Sequence, residues 1–216
     1  WGPMKSDVRA VILAGGRGTR LLPYTTVLPK PLMPIGDMPI LELLVRQLAR
    51  RGIGDITLAV GHLASLLQAY FADGSRYGVS LTYSHEDQPL GTAGPLRLVP
   101  GLDGTFLVMN GDLLTDLDFS AMIAAHREAR AAATVGLYRR EVTIDLGVIH
   151  TNERGWVTDY IEKPSYRYEV SMGVYVFEPR VLAHVPAGER FDLPTLVQRL
   201  VAAGEVVLAY RHAGYW

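Results

Sequence analysis

An apolar run that breaks off into glycines constrains this chain most. Val11, Ile12 and Leu13 read as a buried parallel strand, and Gly15, Gly16 and Gly18 follow almost at once. Residues without a Cβ let backbone N–H groups approach a ligand closely, which is what a polyphosphate requires. Arg17, Arg20 and Lys30 lie in the same stretch, two planar forks and one point charge suited to phosphate oxygens. Pro23, Pro29 and Pro31 stiffen the connection that carries them. The stretch therefore predicts a strand that delivers a phosphate cradle to the edge of a sheet. A tight turn alone would explain three glycines, but not the cations and prolines spaced around them.

Two familiar phosphate loops do not fit. A dinucleotide site needs GxGxxG, and Gly16-Arg17-Gly18 is followed by Thr19, Arg20 and Leu21. A Walker loop needs GxxxxGK followed by Ser or Thr, which the chain lacks.

Along the rest of the chain, strand-like and helix-like patterns alternate. Ile40, Leu41, Leu44, Val45 and Leu48 recur at helical spacing behind Pro39, and Gly52 closes that helix. Ile56 to Val60 predicts a strand, Leu63 to Phe71 a helix, Val79 to Ser84 a strand, Thr105 to Asn110 a strand and Phe119 to Arg130 a helix. From Ala133 onward short strands dominate: Thr134 to Tyr138, Leu146 to His150, Trp156 to Ile161 and Met172 to Phe177. A helix at Leu193 to Ala203 and a strand at Glu205 to Tyr210 close the chain. Such alternation predicts an α/β fold whose central sheet is parallel, with helices on both faces.

The 216 residues, 49% hydrophobic, suffice for a full core and point to one domain over residues 4–216. Trp1 to Pro3 precede Met4 and read as an expression remnant. With 21 basic and 22 acidic residues, a broad nucleic-acid or anionic-membrane surface is not expected. The absence of cysteine excludes thiolate chemistry and fits, without proving, a cytoplasmic location. The six histidines show no metal-ligand spacing, and no serine sits in a nucleophile elbow.

Ligands of open α/β sheets collect at the carboxyl ends of strands, where Asp112 follows Asn110 and Gly111. There it would serve as a magnesium ligand or, equally on spacing alone, as turn chemistry. Glu86 stands in SHEDQPLGTAGPL, a segment similar to the base-reading signature of the sugar-1-phosphate nucleotidylyltransferases; in such a place an ionised carboxylate would accept two hydrogen bonds together from the N1–H and N2–H of guanine.

GGRGTRLLPYTTVLPKP resembles the signature of the sugar-1-phosphate nucleotidylyltransferases, and the likeness extends over nearly the whole chain. It is closest to the mannose-1-phosphate and manno-heptose-1-phosphate guanylyltransferases, through SHEDQPLGTAGPL and VMNGDLLTDLDF. The resemblance implies a Rossmann-like, three-layer nucleotidyltransferase fold with a mostly parallel sheet. It implies nucleotide contacts from Leu13, Ala14, Gly15, Gly16, Arg17, Gly18, Thr19 and Arg20, and from Glu86, Pro89, Gly91, Thr92, Asn110 and Gly111. Gly147, Glu162, Lys163, Ser171 and Gly173 would meet the sugar phosphate, Asp112 would hold Mg²⁺, and Arg20, Lys30, Asp112 and Lys163 would act in catalysis. If the strand before it continues, Glu162 and Lys163 of IEKP point to opposite faces.

In that family a motif like GYW is followed by a second metal-binding aspartate and a terminal helix. This chain stops at Gly214-Tyr215-Trp216, so the expectation is either that the given sequence is cut short or that the metal site rests on Asp112 with water and phosphate. The substrates implied are a nucleoside triphosphate, GTP favoured, and a sugar 1-phosphate, with a homo-oligomer as a further possibility. Other readings are an N-acetylmuramate-1-phosphate uridylyltransferase, a non-catalytic nucleotide-sugar-sensing subunit and, more distantly, a Rossmann dehydrogenase.

Overall fold

A computed structural model describes residues 6–16, 28–61 and 63–216. The apolar run at the start becomes β1 (Arg9–Leu13). A two-residue hairpin, β2 (Pro34–Ile35) and β3 (Met38–Pro39), leads into α1 (Ile40–Arg50). Pro39 stands just before the first turn of α1, and Gly52, at φ 76°, lies just beyond its last. Next come β4 (Asp55–Val60), α2 (Ala64–Phe71) and β5 (Ser80–His85), then β6 (Phe106–Asn110) and α3 (Phe119–Glu128). The strand-rich second half contains β7 (Ala133–Thr143), β8 (Val148–Thr151), β9 (Val157–Ile161) and β10 (Ser165–Phe177), followed by α4 (Leu193–Ala202) and β11 (Val207–His212).

Seven strands form the main sheet, in the order β11-β7-β10-β6-β1-β4-β5. All run parallel except β10, which pairs antiparallel with both neighbours. The mostly parallel sheet expected from the sequence is therefore present.

Period-two side-chain alternation divides the interior into two cores. Ala10, Ile12, Ile56, Leu58, Leu107, Met109, Val174 and Val176 face α1, α2 and α3. Val11, Phe106, Val108, Tyr175 and Phe177 face the other way, toward α4 and two 3-10 turns at Gly94–Leu98 and Pro179–His184. Helical segments thus cover both faces, as parallel strands require.

Two strands are longer than the sequence reading expects. β7 runs on to Thr143 and β10 begins at Ser165, paired residue for residue as far as Ser171 with Leu137. Their outer halves are largely exposed; β7 has only Arg139, Arg140 and Glu141 where an apolar alternation would stand, and in β10 the alternating residues are Tyr166, Tyr168 and Val170. Because β7 runs parallel to β6, this extension stands beyond the sheet's carboxyl edge. The separate ribbon β8–β9 lies between the two long strands in sequence.

Candidate active site

The strand order reverses between β1 and β6, and such switch points open a crevice at the carboxyl ends of the strands. A cleft of about 810 Å³ occupies this edge. Leu13, Ala14, Gly15 and Gly16 enter it from the end of β1. Asn110, Gly111 and Asp112 enter from β6, with Lys30 beside them, and Glu86, Pro89, Gly91 and Thr92 from the segment after β5. Residues far apart in sequence therefore meet in one hollow. Arg17, Gly18, Thr19 and Arg20 lie outside the described residues.

At the β6 end, Lys30 Nζ donates to Asp112 Oδ2 in a close ion pair, with side chains 41% and 30% exposed. Gly111 packs so tightly on β1 that an added Cβ would stand 3.0 Å from the Leu13 carbonyl oxygen. Among the described residues no group of three or more His, Asp or Glu side chains is placed to hold a metal. The donor set nevertheless fits Mg²⁺, which commonly takes one or two carboxylates and fills its remaining positions with phosphate and water oxygens. Asp112 is the carboxylate that would serve.

At the β5 end, Glu86 is wedged between two backbones. An added Cβ on Gly15 would lie 2.6 Å from Glu86 Oε1, and one on Gly61 would lie 3.0 Å from it. The Leu90 N–H donates to Glu86 Oε2 at 3.1 Å. Burial pushes the Glu86 carboxyl above the usual glutamate range, and the Leu90 hydrogen bond works against that shift.

The loop after Glu86 is fastened to a segment about a hundred residues later. Phe191 N–H donates to the Leu90 carbonyl at 2.9 Å, and the Ala93 and Gly94 N–H groups donate to the Phe191 carbonyl at 2.8 and 3.0 Å. Gly91, at φ 79°, has no room for a side chain, since its Cβ would fall 2.6 Å from that carbonyl oxygen. Asp192 precedes α4 where a cap belongs, yet its Oδ1 accepts from the Thr92 N–H at 2.9 Å and Oγ1 at 3.2 Å. The Thr92 hydroxyl in turn accepts the Leu193 N–H at 2.8 Å and so takes over the capping. Arg190 and Asp192 both line the cleft, and the sequence reading missed both. The pattern Phe-Asp-Leu-Pro carries a helix-start signal that marks Asp192. Nothing local marks Arg190.

The residues expected at the sugar phosphate are arranged differently. None of Gly147, Glu162, Lys163, Ser171 and Gly173 lines the cleft itself. Gly173, at φ 74°, packs against Asn110, whose Nδ2 lies 2.4 Å from the position of an added Cβ. Ser171 Oγ lies 3.0 Å from the Tyr175 hydroxyl and accepts the Gly173 N–H at 3.3 Å, within an irregularity of β10.

Gly147 faces the Tyr160 ring, and the Tyr160 hydroxyl donates to Glu162 Oε2 at 3.3 Å. Lys163 Nζ pairs with Asp145 Oδ1 at 3.0 Å. The strand does not continue through IEKP, so the condition for opposite faces is not met. β9 ends at Ile161, ahead of Pro164, and Lys163 takes φ 45°, so Glu162 and Lys163 occupy a bend and have no strand faces to share out. A proline, lacking the N–H, cannot extend the ladder.

The terminal residues reach back toward the site. The Asp116 carboxylate accepts from Tyr215 N–H at 2.5 Å and lies 2.8 Å from His212 Nε2, while Trp216 Nε1 donates to the Met172 carbonyl at 3.2 Å. The loop that carries Asp112 and the irregular part of β10 are thereby tied together.

Residues 9–216 match the family model described as Nucleotidyl transferase. The chain belongs to the nucleotidyl transferase family. It is 37% identical to a UTP–glucose-1-phosphate uridylyltransferase of Synechocystis over 91% of this chain and 56% of that relative. It is 34% identical to a mannose-1-phosphate guanylyltransferase of Mycobacterium tuberculosis over 97% of this chain and 60% of that relative. The chain therefore spans little more than half the length of these relatives. Its fold matches HddC from Yersinia pseudotuberculosis, solved with GMP-PN, with a TM-score of 0.72 at 22% identity, covering 96% of this chain and 92% of that one. Among the described residues no helix is long and apolar enough to cross a membrane.

Proposed function

We propose that this chain condenses a sugar 1-phosphate with a nucleoside triphosphate, GTP by preference, to give a nucleotide sugar and pyrophosphate. The observation that carries this reading is a single cleft with the Lys30–Asp112 pair at one end and Glu86 at the other. The strands bearing Asp112 and Glu86 are three spacings apart, about 14 Å at the usual inter-strand distance, a span suited to a nucleotide laid across the sheet edge. Both curated relatives bear the names of sugar-1-phosphate nucleotidylyltransferases, which supports the reaction class.

In this reaction a sugar-phosphate oxygen bonds to the α-phosphorus as the bond to the β-bridging oxygen breaks, and the electron pair leaves on pyrophosphate. Both reactants are polyanions, so their mutual repulsion must be offset where they meet. Lys30 holds the α-phosphate region, the edge glycines present N–H groups, and Arg17 and Arg20 belong to the triphosphate. Mg²⁺, held by Asp112, supplies further charge neutralisation when bound. Lys163 receives the sugar phosphate after leaving Asp145, and Glu162 serves the sugar hydroxyls. Fixing two reactants in line can lower a barrier by roughly 7–11 kcal/mol.

The ionised Glu86 carboxylate supports guanine through N1–H and N2–H. The uridylyltransferase relative supports UTP as the second reading. Pyrophosphate release across GTP, UTP, dTTP, CTP and ATP against a set of sugar 1-phosphates with magnesium tests both. GTP is expected to give the highest kcat/KM. Release from no pair would overturn the proposal.

A further inference from the structure

We propose that Arg190 is a specificity-determining residue that reads the O6/N7 edge of guanine while Glu86 reads its N1–H/N2–H edge. This rests on the assignment of the cleft to a nucleotide. Arg190 lines the same hollow as Glu86. A short chain of backbone bonds fixes their neighbourhood: Leu90 donates to Glu86 through its N–H at 3.1 Å and accepts the Phe191 N–H through its carbonyl at 2.9 Å, and Arg190 is next in sequence to Phe191. The side-chain amide of Gln88 adds a second tie, donating to the Gly188 carbonyl at 3.3 Å.

Arg190 therefore belongs to the β5 end of the cleft, away from the Lys30–Asp112 end where phosphates would sit. Its ion-pair partner among the described residues is Asp192, 3.9 Å away, and its side chain is 75% exposed. Asp192 is already engaged by Thr92 through Oδ1, so this carboxylate steadies the guanidinium without enclosing it. The planar fork is left at a cleft whose lining also includes the Glu86 carboxylate, an acceptor.

Two groups of opposite kind at one end of a hollow specify a base with donors on one edge and acceptors on another. Guanine meets that demand. Arginine pairs bidentately with guanine O6 and N7, the commonest specific contact to that base. Uracil and cytosine have no N7, and adenine places a donor where guanine has O6. A carboxylate alone separates guanine from pyrimidines weakly, through one edge. The arginine adds an independent edge, and a lysine in its place could not reproduce the fork.

Equilibrium binding separates this role from generic charge attraction. GTP, 7-deaza-GTP, ITP and UTP are titrated by calorimetry against the whole chain, Arg190→Ala, Arg190→Lys and Glu86→Gln. 7-Deaza-GTP lacks only N7, and ITP lacks only the N2 amino group. The parent chain should bind GTP about tenfold more tightly than 7-deaza-GTP, within the range for one bidentate base contact. Both Arg190 variants should level that difference while keeping the preference for GTP over ITP, and Glu86→Gln should do the reverse.

Equal binding of GTP and 7-deaza-GTP by the parent overturns the proposal. A uniform loss for all four nucleotides in Arg190→Ala, with the N7 difference retained, also overturns it, because Arg190 would then be attracting charge. Pyrophosphate release is followed separately: N7 discrimination without turnover leaves Arg190 as assigned and refutes the reaction. Turnover without that discrimination does the opposite.

Discussion

At the scale of single residues, Lys30 and Asp112 test the chemistry. Both side chains are partly exposed, and an ion pair in that setting contributes about 0–1 kcal/mol to stability. Losing one preorganised charged contact at a reacting centre typically costs about a hundredfold or more in turnover. Asp112→Ala and Lys30→Met should therefore each lower pyrophosphate release at least about a hundredfold while thermal melting hardly moves. A large fall in Tm with activity retained would contradict the assignment. Glu86 adds a pH dependence. Its folded-state carboxyl titrates above the ordinary glutamate value because it is buried, so folding favours the protonated form. Stability is then lost as pH rises from the ordinary glutamate value through the raised one, and the penalty persists above that window. Glu86→Gln should remove this slope in melts recorded against pH. The parent's GTP affinity should decline on acidification, as Glu86 loses its charge, and Glu86→Gln should abolish that decline. Gly15 and Gly16 were legible in the sequence because they end an apolar strand run among cations, whereas Glu86 and Asp112 were singled out through the family resemblance, since spacing alone left Asp112 equally a turn residue. Arg190 was not, because its place in the cleft is created by a chain crossing about a hundred residues away in sequence.

Among the elements, the exchange between Thr92 and Asp192 joins the loop after β5 to the start of α4. Thr92→Val keeps the shape and removes the hydroxyl, leaving the Leu193 N–H without its acceptor. A loss of about 1–2 kcal/mol is expected from the unmet donor, together with a higher KM for nucleotide and a smaller change in kcat. Chemical denaturation and steady-state kinetics measure these two effects separately. The ribbon supplies another test. Lys163→Ala should raise KM for the sugar 1-phosphate and leave nucleotide binding nearly unchanged, because Lys163 lies outside the cleft's lining. An equal rise for both substrates would contradict that division. The end of α1 was readable from sequence at Gly52, since the positive φ there favours that residue. The outer halves of β7 and β10 went unread. Both are held by main-chain pairing and bury little: Arg139, Arg140 and Glu141 of β7 carry no apolar residue, whereas β10 does alternate Tyr166, Tyr168 and Val170 with polar neighbours, a strand signal the reading passed over.

Taken as a whole, the sheet has the candidate site at one edge and a buried polar cluster near the other. Near the edge opposite the cleft, the buried His126 ring has Nδ1 2.7 Å from Thr134 Oγ1 and Nε2 3.1 Å from Glu178 Oε1. This joins α3 to β7 and to the residue following β10. Burial holds His126 below the usual histidine range, against the opposing pull of Glu178. The unfolded chain therefore takes up a proton as pH falls below about 6.5 while the folded chain resists, and stability is lost through that window. His126→Gln should flatten this acid limb in melts across pH and leave turnover at neutral pH near that of the parent. The alternation of strands and helices, the mostly parallel sheet and its two covered faces all followed from apolar periodicity. The reversed direction of β10 did not, because period-two patterning is blind to strand polarity.

If the cleft holds a base as proposed, the bare backbones of Gly15 and Gly61 on either side of Glu86 bear on how its choice could change. The carboxylate occupies a slot moulded by main chain, so a bulkier group cannot simply be exchanged at that position. Retuning toward another nucleobase would have to begin with the strand ends that form the slot, ahead of the side chain that fills it.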